Sequence, residues 1–134
     1  MPIRFLGQLA GVVAQEEIAR ARLLVLPSEW FEGFPMVIQE AFAFGTPVAV
    51  SNIGPLPSIV QPGKNGVIFE PGDLQSLLAA VRTVWEQAGE LENLAAGARR
   101  SFETSYNEDV NYRMLMTIYE QAMEVSQRRR NVVR

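Results

Sequence analysis

The apolar positions of this chain change their spacing about halfway along it. In the first half, short aliphatic runs alternate with segments of helical period. Leu23 to Leu26 (LLVL), Pro47 to Val50 (PVAV) and Gly66 to Phe69 (GVIF) show no polar alternation. Runs of that kind predict strands buried on both faces, as in a parallel sheet. Ile3 to Leu6, ended by Gly7, predicts a further strand. Between them, Val12 to Arg20 and Met36 to Phe44 have the spacing of helices, and Pro57 to Gln61 predicts a short one. Pro35 falls at the first turn of the second helix and Gly45 just past its end, the usual asymmetry of helix termini.

In the second half the strand runs disappear. Asp73 is placed as an N-cap for a helix to about Gln87, with Leu74, Leu77, Leu78, Val81 and Val84-Trp85 as its stripe. A second helix is predicted from Glu90 to Phe102. A third follows Asn107 and runs to about Arg128, with Tyr112, Leu115, Met116, Tyr119 and Met123 as its apolar stripe. There is no internal repeat, low-complexity tract or linker. The pattern predicts an α/β fold, a Rossmann-like parallel sheet flanked by helices with a helical tail. The 134 residues are expected to form one domain, with strand and helix alternation over 1–72 and the tail over 73–134. Four strands make a small sheet for a doubly wound fold. The chain is therefore expected to be part of a larger protein, or to have its sheet completed by a partner.

Composition narrows the chemistry. There are no cysteines and no histidines. A disulfide framework, a thiolate nucleophile or metal site and a Ser-His-Asp arrangement are all excluded. The formal net charge of -3 gives no support to nucleic-acid binding, which rewards positive charge. Arg128, Arg129, Arg130 and Arg134 make a local basic tail, read as a solvated helix end. No apolar run reaches the ~20 residues of a membrane span, and the start of the chain has no signal-peptide core, so a cytoplasmic protein is expected.

The candidate chemistry lies in PSEWFEGFPMVIQEAFAFGTPV, Pro27 to Val48. Ligands of open α/β sheets bind beyond the carboxyl ends of the strands. The loop Pro27 to Pro35 leaves such an end and feeds a helix amino terminus, where free N–H groups and the helix dipole favour an anion. Gly33 permits close backbone approach. Glu32 lies before the helix mouth, and Glu40 lies roughly 7 Å along it from Pro35. That distance is about the span from a phosphate to a ribose, and a carboxylate can accept both hydroxyls of a diol. Two readings are open on spacing alone. The pair could hold a nucleotide sugar at its two ends, or Glu32 could be a dipole-favoured loop acid and Glu40 part of a solvated face.

The ordered series PS-x-x-x-EGFP, E-A-x-A-x-G-x-P-V, G-x-x-P-x-I-V and G-x-N-G-x-x-x-x-P-G-D resembles the donor-binding half of retaining family-4 glycosyltransferases of the GT-B fold. The resemblance covers roughly Phe5 to Leu78 and includes the lead-in FLGQL. It implies that Glu32 contacts the donor sugar, as the nearest catalytic candidate in a positioning role. It implies that the backbone of Gly33, Phe34, Pro35 and Met36 holds the sugar and diphosphate, and that Glu40 binds the ribose. Gly45 and Pro47 would be structural. The implied activity is sugar transfer with retention from a nucleotide sugar as substrate; metal dependence is not indicated, since no Asp-x-Asp pair appears, and no separate cofactor is expected.

The sequence departs from the family's pattern where a glutamate usually follows G-G-x-P. Here the stretch reads GPLPS, with Ser58 at that position, read as a surface helix start. Gly63, Asn65 and Gly66 are expected to make turns, since Gly and Asn tolerate positive φ. In the family an upstream Arg and Lys neutralise the diphosphate, and neither precedes Met1. Arg4 and Lys64 are poor substitutes by position. The expectation is a transferase fragment that needs a missing amino-terminal lobe or a homo-oligomer partner, with peripheral membrane contact open to the full-length enzyme. The alternative is a non-catalytic nucleotide- or partner-binding module. A flavodoxin-like regulator would want an acidic cluster or phosphate loop that the sequence does not offer beyond Glu32 and Glu40.

Overall fold

The structure is a computed structural model that describes residues 3–132; Arg134, the last of the basic tail, lies outside the described residues. The chain divides after Phe102 into two compact units. In the first, the elements run α1 (Gly11–Arg20), β1 (Leu24–Leu26), α2 (Met36–Ala43), β2 (Val48–Ser51), α3 (Leu56–Ile59), β3 (Gly66–Phe69), α4 (Leu74–Glu86) and α5 (Glu90–Ser101). A single π-helical turn spans Phe102–Tyr106, and α6 (Glu108–Val132) follows.

The three strands pair in parallel in the order β1-β2-β3, with Val25 opposite Ala49 and Val50 opposite Ile68. Every residue of the central strand β2 is buried. β1 is different. Its aliphatic run predicts burial on both faces, yet Val25 is 39% exposed. The physical reason is position: β1 is an edge of this three-stranded sheet and has a neighbour on one side only. Ile3 to Leu6 forms no strand; it is exposed, non-regular chain. Four residues of apolar pattern cannot hold a strand without a ladder to join.

The core is built from Ile38 and Phe42 of α2, Val48 and Val50 of β2, Leu56 of α3 with Val60 just after it, and Leu94 of α5, all fully buried. Beside it, Val84, Leu91 and Leu94 pack with Leu23 and Val67 and seat α4 and α5. The α4 stripe is buried at Val84, while Leu74, Leu78 and Trp85 stay exposed. Asp73 caps α4, its Oδ1 accepting from the amides of Gln75 at 2.9 Å and Ser76 at 3.0 Å. Asn107 caps α6 in the same way, accepting from Val110 N–H at 2.9 Å.

α2 ends as its sequence requires. Gly45 takes φ of +71°, its N–H donates to Phe42 at 3.0 Å, and Thr46 N–H reaches back to Ala41 at 2.8 Å. This is a Schellman closure, and it turns the chain directly into Pro47 and β2. The Thr46 hydroxyl donates to the Ile18 carbonyl at 2.8 Å and so ties the same turn to α1.

The segment before β3 turns at Gly63 to Asn65 as expected, but Gly66 already belongs to β3 and the reason for Asn65 is a different one. Gly63 has φ of +73°, as a turn glycine should, but neither Asn65 nor Gly66 has positive φ. Gly66 is required for space: a Cβ there would lie 2.0 Å from the Val48 carbonyl oxygen. Asn65 is a buried staple. Its Oδ1 accepts from Gln61 N–H at 2.7 Å, and its Nδ2 donates to Ile59 O at 3.2 Å and Ser101 Oγ at 3.0 Å. Gly97 completes the contact, because a Cβ there would sit 1.6 Å from the Lys64 carbonyl oxygen. α5 is thus held flush against the backbone that starts β3.

Candidate functional site

Parallel strands put three loops on one edge of the sheet: 27–35 after β1, 52–55 after β2 and 70–73 after β3. That is the ligand-binding edge of open α/β sheets. The loops are locked together. Asn52 N–H donates to Phe69 O at 2.7 Å, and the Asn52 amide group donates to Glu70 Oε1 at 3.2 Å. Gly54, at φ of +53°, receives the Phe31 ring, and a Cβ at Gly54 would lie 2.9 Å from that ring and 3.6 Å from the Glu32 carbonyl oxygen. The loop bearing Glu32 is therefore seated on a glycine where a side chain would strain the backbone and push against the Phe31 ring.

The loop delivers its chain to α2 in an extended conformation at Pro35, the N-cap, with φ of -66° and ψ of 115°. Proline offers no side-chain cap, and none is made. The amides of Met36 and Val37 in the first turn have no acceptor within the helix, as in any helix start. Gly33, Phe34 and Met36 are exposed around this mouth, and Pro35 is half-buried.

The two acids are placed differently. Glu32 is partly buried, and its Oε1 accepts from the hydroxyl of Ser28, itself buried at the start of the loop. This fixes the carboxylate on the loop side of the helix mouth. Glu40 lies one turn into α2, partly buried, and accepts from Gln15 Nε2 of α1 at 3.5 Å. Its contact is thus on the α1 side of α2. The two acids flank the start of one helix, each with a distinct partner.

The loops contain no lysine or arginine but carry Glu29, Glu32, Glu70 and Asp73. The two cations weighed from sequence sit elsewhere. Arg4 pairs with Glu17 of α1 at 3.4 Å. Lys64 precedes β3 and so belongs to the opposite edge, with its carbonyl packed under Gly97. Ser58 is exposed on α3 and donates to the Pro55 carbonyl at 2.6 Å, a local role at a short helix. Among the described residues no cluster of acidic side chains could hold a metal ion.

Sequence reasoning missed one feature of this edge. A shallow cavity of about 160 Å³ lies between the first and third loops, lined by Pro27, Glu29, Phe69, Gly72, Asp73 and Leu74. Glu29 belongs to the same loop as Glu32, but only the pairing of β1 and β3 across β2 brings it near Gly72.

This geometry can be set beside known proteins. The sequence profile of the family described as Glycosyl transferases group 1 matches residues 2–101. The chain belongs to this family. Within it, the chain is 38% identical over 104 residues to the glycogen synthase of Mycobacterium tuberculosis H37Rv, covering 78% of this chain and 25% of that enzyme. Among solved structures, the sucrose-phosphate synthase of Thermosynechococcus elongatus superposes with a TM-score of 0.79 at 26% identity, over 91% of this chain and 30% of that one. Anabaena Alr3699/HepE, solved with UDP and glucose, superposes with a TM-score of 0.75 at 26% identity, over 87% of this chain and 32% of that one. The chain thus spans about a quarter to a third of these relatives. Its sheet and helices share the Rossmann-like architecture of GT-B glycosyltransferases.

Proposed function

We propose that this chain is the donor-binding portion of a nucleotide-sugar-dependent glycosyltransferase that transfers its sugar with retention. The observation that carries the reading is the uncapped start of α2 at the carboxyl edge of the sheet, flanked by Glu32 and Glu40. In this reading the diphosphate lies at the amides of Gly33, Phe34 and Met36, where the helix dipole favours negative charge. Pro35 shapes the mouth and lends no donor. Glu40 accepts the ribose hydroxyls and exchanges its long contact with Gln15 for them. Glu32, oriented by Ser28, holds the hydroxyls of the transferred sugar and positions it for departure of the diphosphate. The UDP and glucose of the HepE structure support this choice of ligand class.

The leaving diphosphate gains charge as the glycosidic bond breaks, and preorganised donors that meet this charge lower the barrier. Backbone amides and the dipole supply part of that. The acidic composition of the edge loops means that cationic side chains come from outside this chain's own edge loops. Donor binding is therefore assigned to this chain, and transfer to its assembly with the remaining lobe. The nucleotide sugar is a substrate, and no further cofactor enters the scheme. The same lack of cations favours, as the second reading, a module that binds nucleotide without catalysing transfer.

The test is calorimetric titration with UDP, ADP and GDP and their glucose conjugates, on this chain and on the chain extended to the length of its relatives. Binding of at least one nucleotide sugar by both is expected. Absence of binding to any of them by the extended protein overturns the donor assignment. Binding without turnover against any sugar acceptor selects the second reading.

A further inference from the structure

We propose that Asn65-Gly66 is a site of spontaneous deamidation that the folded chain holds shut, and that modification there makes local unfolding permanent. It is the sole Asn-Gly pair in the sequence. Glycine after asparagine is the most labile setting for this chemistry, because the glycine amide has no side chain beside it to hinder attack and its backbone turns freely. The Gly66 nitrogen attacks Cγ of Asn65. A bond forms between them, the Cγ–Nδ2 bond breaks, and Nδ2 leaves as ammonia with the amide proton. Water then opens the five-membered imide at either carbonyl, which leaves aspartate or isoaspartate.

The fold requires both members of this labile pair, so protection has to come from structure. Asn65 supplies its three hydrogen bonds. Gly66 has no room for a side chain, since a Cβ would lie 2.0 Å from the Val48 carbonyl oxygen and 2.6 Å from Val60 Cγ1. The closed state blocks the reaction in three ways. Asn65 is 2% exposed, so water is kept from it. Its Oδ1 accepts from Gln61 N–H, and Nδ2 donates to both Ile59 O and Ser101 Oγ, which fixes the side chain. The imide ring would also include the Asn65 carbonyl carbon, whose oxygen accepts from Val48 N–H at 3.3 Å. Ring closure therefore needs the side chain released and the β2–β3 ladder parted at its start. The products do not fit back. A carboxylate oxygen in place of Nδ2 faces the Ile59 carbonyl with no proton to donate. Isoaspartate also adds a methylene to the main chain where Gly66 is pressed against Val48.

The test ages the full chain at one mildly alkaline pH, folded in buffer or unfolded in guanidinium chloride. Ammonia release and labelling by protein isoaspartyl methyltransferase read the reaction. The folded rate is expected at least about a hundredfold below the unfolded rate, as for groups freed only when core strands open. Asn65→Gln, whose imide would be six-membered and slow to close, is expected to remove the fast ammonia release of the unfolded chain. Ser101→Ala takes one partner from Nδ2 and is expected to raise the folded rate about fivefold, with circular dichroism checking that the fold is kept. The wild-type chain in rising guanidinium gives the same reading without a substitution, since its rate should climb with the unfolded fraction. Freshly unfolded chains should refold on dilution, and aged ones should fail in proportion to the isoaspartate formed. Equal rates in the folded and unfolded chain overturn the proposal, and so does fast release that survives Asn65→Gln. A rate indifferent both to Ser101→Ala and to guanidinium overturns it, as does full refolding of aged chains.

Discussion

Asn65 offers the sharpest test of how this fold is held. The side chain is 2% exposed and makes three hydrogen bonds that join Gln61, Ile59 and α5. In Asn65→Ala the Gln61 amide, at an exposed position, regains water. The Ile59 carbonyl and the Ser101 hydroxyl lose a partner inside the protein, although Ser101 still donates to Gly97 O at 2.9 Å. At about 1 kcal/mol net per hydrogen bond and ~1–3 for an enclosed group left unsatisfied, the loss should be roughly 2–4 kcal/mol. That is a large share of the 5–15 kcal/mol on the order of which small domains are stable.

Asn65→Asp separates the hydrogen-bond argument from simple loss of volume. One carboxylate oxygen can still accept from Gln61, but the other faces the Ile59 carbonyl and can only donate when protonated. The folded-state pKa of this aspartate is therefore raised by burial and by the facing carbonyl. The folded state then binds more protons than the unfolded state at intermediate pH, so stability falls as pH rises. Relative to Asn65→Ala, this variant should gain stability as pH drops from about 7 to about 4.5, approaching the unfolded carboxylate value. Urea unfolding reads both effects. With Trp30 replaced by Phe, Trp85, half-exposed and 4.9 Å beneath the Arg22 guanidinium, is the sole tryptophan reporter. The midpoint should fall at constant slope. A loss below about 1 kcal/mol in Asn65→Ala, or a pH-independent Asn65→Asp, would refute the staple.

Three further outcomes are expected. Glu40→Ala should weaken nucleotide binding by about tenfold to a hundredfold in titration calorimetry, the range for hydrogen bonds to a charged group, with the unfolding midpoint nearly unchanged. Asp73→Ala removes an acceptor for two amides and should lower stability by about 1 kcal/mol in urea unfolding, while Asp73→Asn should recover most of it. Burial pushes the Tyr106 phenol above its ordinary value of 10.0. The folded state then keeps a proton that the unfolded state releases, so this contribution to stability is lost as pH rises past the unfolded value; absorbance at alkaline pH should show a late-ionising phenol that Tyr106→Phe removes.

Much of this protein was legible from local pattern. The helices α2 and α4 to α6 begin and end near the proline, aspartate, glycine and asparagine positions that terminate helices for local reasons. Pro35, Asp73, Gly45 and Asn107 act through their own backbone or an amide two to five residues away. The strands β2 and β3 could be read as well, because an unbroken aliphatic run has few other uses in a chain of this composition. The order of loops at the candidate site followed from the same alternation of strand and helix.

What depended on pairing was not local. Val25 has the same character as Val50, but one lies on an edge and the other at the centre of the sheet, so only one is buried. Ile3 to Leu6 shares the strand pattern and has no ladder to join. Asn65 and Gly97 lie more than thirty residues apart, and no property of either alone announces that α5 must approach the start of β3. The seat of Phe31 on Gly54 and the cavity beside Glu29 arise the same way, from segments made neighbours by parallel pairing. Sequence by itself determined which residues turn, cap and bury, since those choices rest on a residue's own geometry and on its near neighbours. Tertiary structure alone decided which glycine makes space, which asparagine staples and where each glutamate finds its partner, because close approach is a property of two segments and neither one encodes it.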